Sequence, residues 1–190
     1  MITKTEEDWL RGGWILTYTG RQFWPVTPRV EDVDARDIAH ALGMQCRYNG
    51  HTRRFYSVAE HCVILSYAVP AEDALWALLH DAAEAYIGDM VRPLKRDMPE
   101  FCDMDDRLTA VIAMAFGLRP PHRIPDSVKV ADSRILLDER AALLDTSAGH
   151  LWSRSLEELA PLGVAVEGWT PDLAEHLYSH RLEELLGARS

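Results

Sequence analysis

Apolar residues recur along this chain first with the alternation of strands and then with the spacing of helices. WILTYTG and RQFWPV are short β-rich runs split by Gly20, which predicts a small hairpin near the start. PVTPRVEDVD is loop punctuated by prolines, and Asp34 stands as the cap of a helix through DIAHALGMQ. RYNGHTRRF reads as loop, with Asn49-Gly50 as its turn signal. At Ser57 the spacing becomes helical. Ser57 and Glu60 form a capping box, and the helix they open runs to Pro70. A second helix begins at Pro70 and runs to about Ile87, closed by Gly88. Phe101, Met104, Leu108, Val111, Ile112, Ala115 and Phe116 keep one apolar stripe, which Gly117 ends. PPHRIP is a linker, Asp126 starts a helix to about Leu144, and Pro171 to Leu186 predicts the last helix. Residues 146–170 carry no period that assigns them. The expectation is an all-α fold with a small N-terminal β-hairpin, built as a single domain. Residues 1–30 would form the hairpin and its loop, 57–145 the helical core, and 171–187 the C-terminal helix.

Four polar residues interrupt these apolar stripes. At roughly 100° per residue, His61 falls between Val58, Leu65 and Ala68, and Asp132 falls among Val128, Ala131, Ile135 and Leu136. His80 and Asp81 are adjacent in LLHDAAEAYIGD. A lone histidine on an apolar stripe is ordinarily a core imidazole bonded to a backbone carbonyl. A buried carboxylate needs a cation or several donors, and Glu139, on the stripe of Asp132, could be an acid paired with arginine. Four such groups on three helices share one simple partner, a divalent metal, for which His and Asp are ordinary ligands. Glu84 lies one turn after His80, beside the metal, where a general acid/base would act on water. Asp89 could return over the same site from the loop after Gly88.

Composition narrows the chemistry. The chain is 47% hydrophobic and 26% charged, with a formal net charge of −10, which argues against a duplex nucleic-acid binder. An anionic substrate would therefore be met locally. Arg47, His51, Arg53 and Arg54 form one run without an acid, and Arg92, Lys95 and Arg96 form another; both flank the predicted metal site and could hold phosphate oxygens. No apolar run is long enough to span a bilayer, and the acidic start is unlike a signal peptide. Cys46, Cys62 and Cys102 are odd in number and never paired as CxxC, which fits a reducing cytoplasm. His176 and His180 have metal-like spacing but face away from their helix's apolar side, as a solvated pair would. There is no P-loop and no GxGxxG.

The run AEH, then LLHDAAEAYIGD, then PLK, then VKVADSRILL resembles the HD superfamily of metal-dependent phosphohydrolases, notably bacterial 5′-deoxynucleotidases and phage dATP triphosphohydrolases. The resemblance covers about Arg47 to Asp132, and more weakly continues to Glu139. It implies an HD-domain helical fold in which His61, His80, Asp81 and Asp132 hold the metal and Glu84 and Asp89 are catalytic. Relatives with two metals need further histidines before the last Asp; this interval has only His122, so a single divalent ion (Mn, Co, Fe, Ni, Zn or Mg) is implied. An Arg-Trp pair precedes the first ligand in the similar nucleotidases, and Arg47-Tyr48 stands here with one residue fewer in the gap. The implied function is release of phosphate from a 5′-nucleotide, with Arg47, Tyr48, His51 and Lys95 on the substrate. A triphosphohydrolase and a non-catalytic nucleotide sensor are the alternatives. HD alarmone hydrolases usually carry two acids after the doublet, where Ala82 and Ala83 stand. The partner expected is a nucleotide, with homo-oligomerisation left open and neither duplex nor membrane anticipated.

Overall fold

The computed structural model of the chain describes residues 11–120, 123–149 and 152–188. Strands β1 (Ile15–Leu16) and β2 (Gln22–Phe23) pair antiparallel, Ile15 with Phe23 and Leu16 with Gln22. Helices follow as α1 (Ala35–Met44), α2 (Val58–Ala68), α3 (Ala74–Leu79), α4 (Glu84–Ile87) and α5 (Arg92–Arg96). The chain continues through α6 (Pro99–Ala115), α7 (Asp126–Leu143), α8 (Arg154–Glu157) and α9 (Pro171–Gly187). It is thus mostly helical with one small N-terminal hairpin, as the apolar rhythm predicts.

Helix α9 packs chiefly on α1, α2 and α3, and α7 reaches α2 from another side. Ile38, Leu42, Leu65, Leu78, Leu108, Ile112 and Ile135 are wholly buried among these helices. Each such side chain contributes roughly 1.5–3 kcal/mol relative to exposure. Gly43 lets α1 and α9 approach closely: a Cβ there would lie 3.1 Å from the carbonyl oxygen of Pro171. The hairpin joins the same core. Phe23 is fully buried and stacks on Tyr86 of α4, ring centroids 3.7 Å apart, while Trp24 is also buried, with Arg11 over its ring.

Two expectations change. The single helix expected from Pro70 to Ile87 is interrupted after α3. From Leu79 to Tyr86 the backbone bonds run to the third residue back: Ala82 to Leu79 at 3.0 Å, Glu84 to Asp81 at 3.0 Å, Tyr86 to Ala83 at 3.0 Å. The winding there is tighter, near three residues per turn, a change often found at functional sites. Gly88, at φ 83°, ends α4 as expected. The capping box is only half present. Ser57 Oγ accepts from Glu60 N–H at 3.0 Å, but the Glu60 carboxylate faces the other way. It accepts the backbone N–H groups of Glu167, Gly168 and Trp169 at 2.9, 2.9 and 2.6 Å. The unassigned stretch 146–170 is therefore tied to α2 by a buried acid. Gly168, at φ 76°, permits this contact, since a Cβ would meet the Phe55 carbonyl at 2.7 Å.

Candidate metal centre and cleft

Three elements converge on one point. The first turn of α2 carries His61, the tight turn after α3 carries His80 and Asp81, and α7 carries Asp132. His61 and His80 are buried, and Asp81 and Asp132 are partly so. His61 Nε2 lies 3.4 Å from His80 Nε2, 3.8 Å from Asp81 Oδ2 and 3.3 Å from Asp132 Oδ1. His80 Nε2 lies 3.2 Å from Asp81 Oδ2 and 4.0 Å from Asp132 Oδ1. Donors bound at about 2.0–2.2 Å to one divalent ion lie about 3.0–3.5 Å from one another. The His61, His80 and Asp81 group could hold a metal ion with small adjustments. Asp132 is placed to join it, its second oxygen bonded to Arg92.

The histidines are oriented for this role. Nδ1 of His80 donates to the Ala77 carbonyl at 2.8 Å, and Nδ1 of His61 donates to Glu139 Oε1 at 2.6 Å. Each bond leaves Nε2 turned toward the cluster, as outer partners of metal-bound imidazoles commonly do. Burial would lower the pKa of His80, but the Asp81 carboxylate carries it well above the ordinary imidazole value. Burial would raise Asp81, and His80, His61 and Arg47 hold it far below the usual carboxylate range. The site thus favours positive charge between His80 Nε2 and Asp81 Oδ2, which a divalent ion can supply.

Glu139 organises the surroundings and is wholly buried. Besides His61 it accepts the hydroxyl of Tyr56 at 2.9 Å and that of Tyr48, and faces Arg47 Nη2 at 3.5 Å. Burial pushes this carboxyl up, but Arg47 and His61 hold it down at about 2. Arg47 also reaches Asp81 at 3.3 Å, so it bridges the hub to the cluster. Tyr48 adopts φ 57° and ψ 28°, and Asn49 φ 51°. A left-handed aromatic residue costs roughly 1–2 kcal/mol, and such strain is concentrated at functional sites.

Outside the cluster lies a cleft of about 880 Å³. Arg47, Tyr48, His80, Asp81, Glu84, Asp89, Arg92, Lys95 and Asp132 line it, together with Arg96 and Lys129. Tight winding aligns Glu84 with Asp81, three residues before it. Glu84 Oε2 is buried without a hydrogen-bond partner among the described residues. Burial, and then the charges of Asp81 and Asp89, raise its pKa well above the ordinary value. Burial raises Asp89 as well. Lys95 pairs with Asp105 at 2.7 Å while still lining the cleft.

His51 is exposed and lies away from the cleft lining, because the left-handed turn at residues 48–50 carries it outward. His176 and His180 are exposed, with ring centroids 6.5 Å apart. His122 lies outside the described residues. Sequence reasoning missed Tyr56, Gln45 and the stretch 152–159. Gln45 donates from Nε2 to the Glu84 carbonyl at 3.0 Å and accepts Asp89 N–H at 3.2 Å, fixing both ends of the turn between the candidate acids. Trp152, Ser153, Ser155, Leu156 and Leu159 form a wall of the cleft. Among the described residues, no helix is long and apolar enough to cross a membrane.

No family model matches the chain. It is 42% identical over 139 residues to the uncharacterized protein YfdR of Escherichia coli K12, an alignment covering 73% of this chain and 76% of that protein. It is 30% identical over 196 aligned positions to the uncharacterized protein RCAP_rcc00048 of Rhodobacter capsulatus, covering 95% of this chain and all of that protein. The chain belongs to the family of these two proteins.

Proposed function

We propose that this protein is a divalent-metal-dependent phosphohydrolase of the HD type that releases phosphate from 5′-nucleotides. The observation that carries this reading is the convergence of His61, His80, Asp81 and Asp132 at ligand spacing, the last three of them lining the cleft. When bound, a divalent ion supplies Lewis acidity toward a phosphoryl oxygen and a water of lowered pKa. Nitrogen and oxygen donors suit Mn, Co, Fe, Ni, Zn or Mg. Arg47 and Lys95 orient the phosphate from the cleft wall. Glu84 lines the cleft with its carboxyl pKa raised by burial and by Asp81 and Asp89, and serves as general acid/base. Asp89 stands across the Gly88 turn as its partner.

A triphosphohydrolase is the second reading, and Arg92, Arg96 and Lys129 favour it by adding positive charge to the cleft beyond Arg47 and Lys95. A screen of nucleoside mono-, di- and triphosphates with several metals, scored for phosphate, pyrophosphate and triphosphate release, separates the two. Phosphate release from monophosphates is the expected result. Metal analysis of Asp132→Ala beside wild type tests the ligand set: equal metal content in both would overturn it. Binding of nucleotides without turnover under every metal would replace the enzyme with a sensor.

A further inference from the structure

The segment 152–163 supplies no ligand to the metal cluster, yet it is fastened along α7 by several side chains. Arg140 pairs with both carboxylate oxygens of Glu157. Arg134 donates to the carbonyls of Ala160 and Pro161 at 2.8 and 2.9 Å. Asp138 accepts the N–H groups of Leu162 and Gly163 at 2.8 and 2.9 Å. A strap held this firmly presents Trp152 at the mouth of the cleft, 42% exposed. Its ring lies 6.1 Å from that of Tyr48, centroid to centroid, with planes inclined by 27°. Tyr48 is itself anchored through its hydroxyl on Glu139.

We infer that Trp152 and Tyr48 form an aromatic clamp that receives the flat heterocycle of the substrate; this rests on the nucleotide reading above. A planar ring between two others needs them about 7 Å apart, two stacking contacts of about 3.5 Å each. The present separation falls short of that by less than about 1 Å. The clamp reads the base as a π surface, because the described residues of this wall offer little that would read its edge. Ser153 and Ser155 are its polar side chains; their hydroxyls lie 3.3 Å apart, and Ser153 Oγ already accepts the Leu156 N–H. No Asn or Gln lines the cleft among the described residues. Stacking tolerates any base, since each has a π face. Selection therefore falls on the presence of a base and not on its identity.

The test compares wild type, Trp152→Ala and Trp152→Phe on dAMP, dGMP, dCMP, TMP and 2-deoxyribose 5-phosphate. Calorimetric titration of dAMP is added in a Glu84→Gln background, where turnover should be strongly slowed. Trp152→Ala is expected to weaken KM and Kd for all four nucleotides about ten- to a hundredfold. Trp152→Phe should stay near wild type, and the base-free sugar phosphate should be indifferent to both changes. The unfolding midpoint of Trp152→Ala should match wild type, since the ring is half-exposed. Nucleotide KM and Kd unchanged in Trp152→Ala would overturn the clamp, and a loss confined to one base would overturn the π-surface reading. If wild type turns over no nucleotide, the proposed function falls; dAMP left unbound by the Glu84→Gln protein would then overturn the clamp as well.

Discussion

Replacing Glu139 with glutamine probes the centre of the site without emptying it. In the native protein this fully buried carboxylate serves three donors, His61 Nδ1, the Tyr56 hydroxyl and the Tyr48 hydroxyl, and faces the Arg47 guanidinium. The amide keeps one acceptor oxygen, loses the charge, and brings two N–H donors against groups that are donors themselves. Hydrogen bonds to charged groups contribute roughly 1.5–3 kcal/mol each. Losing one such bond and weakening another should cost about 2–4 kcal/mol, a sizeable part of an ordinary domain's 5–15 kcal/mol or so. Urea unfolding in EDTA isolates this cost from any metal effect and should show a clearly lower midpoint at an unchanged slope. Metal content, measured separately, should fall because His61 loses the partner that turns Nε2 inward; outer-shell changes of this kind weaken affinity by about ten- to a hundredfold. The double variant Glu139→Gln/Tyr48→Phe should recover part of the stability: with the amide oxygen kept on His61 and Tyr56, the Tyr48 hydroxyl is the donor left unpaired, and removing it relieves its desolvation penalty. A Glu139→Gln protein that unfolds within about 0.5 kcal/mol of wild type and retains full metal would refute the view that Glu139 organises this centre.

Glu60→Ala strips partners from three backbone N–H groups and is expected to cost about 3–5 kcal/mol; protease sensitivity confined to residues 160–170 checks the location, and wild-type resistance would count against it. Glu84→Gln keeps the shape but cannot release a proton, so turnover should drop on the order of a hundredfold or more with metal content unchanged. Near-wild-type turnover there would leave Asp89 as the acid/base candidate. Gln45→Ala removes the bracket between Glu84 and Asp89, and should lower kcat more than it raises KM; the opposite split would make Gln45 a binding residue only.

The residues that converge in the cluster were legible because each breaks an apolar stripe, and a polar group on such a stripe demands a partner. Glu139 could be read only as a buried acid near arginine, since its real work, holding His61, depends on two turns of α7 meeting the first turn of α2. Glu60 misled for a physical reason. Ser57 at its cap makes the local pattern of a capping box, while the donors it serves lie more than a hundred residues away. Tyr56 and Gln45 carry no periodic signal, because a hydroxyl or an amide acquires its role only from the neighbours that folding brings. His51 sits in the same basic run as Arg47, but the left-handed backbone at Tyr48 and Asn49 sends the two apart. The strap at 152–163 has too short an apolar pattern to assign an element, and much of what fixes it comes from side chains of α7 distant in sequence.

The way that strap is attached bears on how the polypeptide could be divided. Residues 145–149 are exposed. Everything described beyond them is secured by other means: the arginines and Asp138 of α7, the Glu60 carboxylate, and α9 laid against α1, α2 and α3. Helix α9 adds polar pins of its own, with the Tyr178 hydroxyl on the Leu78 carbonyl at 2.9 Å and Arg181 on Ser66 at 3.0 Å. The covalent link across 145–149 therefore contributes connection and little cohesion. Two fragments divided there would each carry half of a complementary surface, with the candidate metal ligands on one and the Trp152 wall on the other. Under the hydrolase proposed above, such a pair would suit a split reporter, in which recovered turnover signals that two fused partners have met.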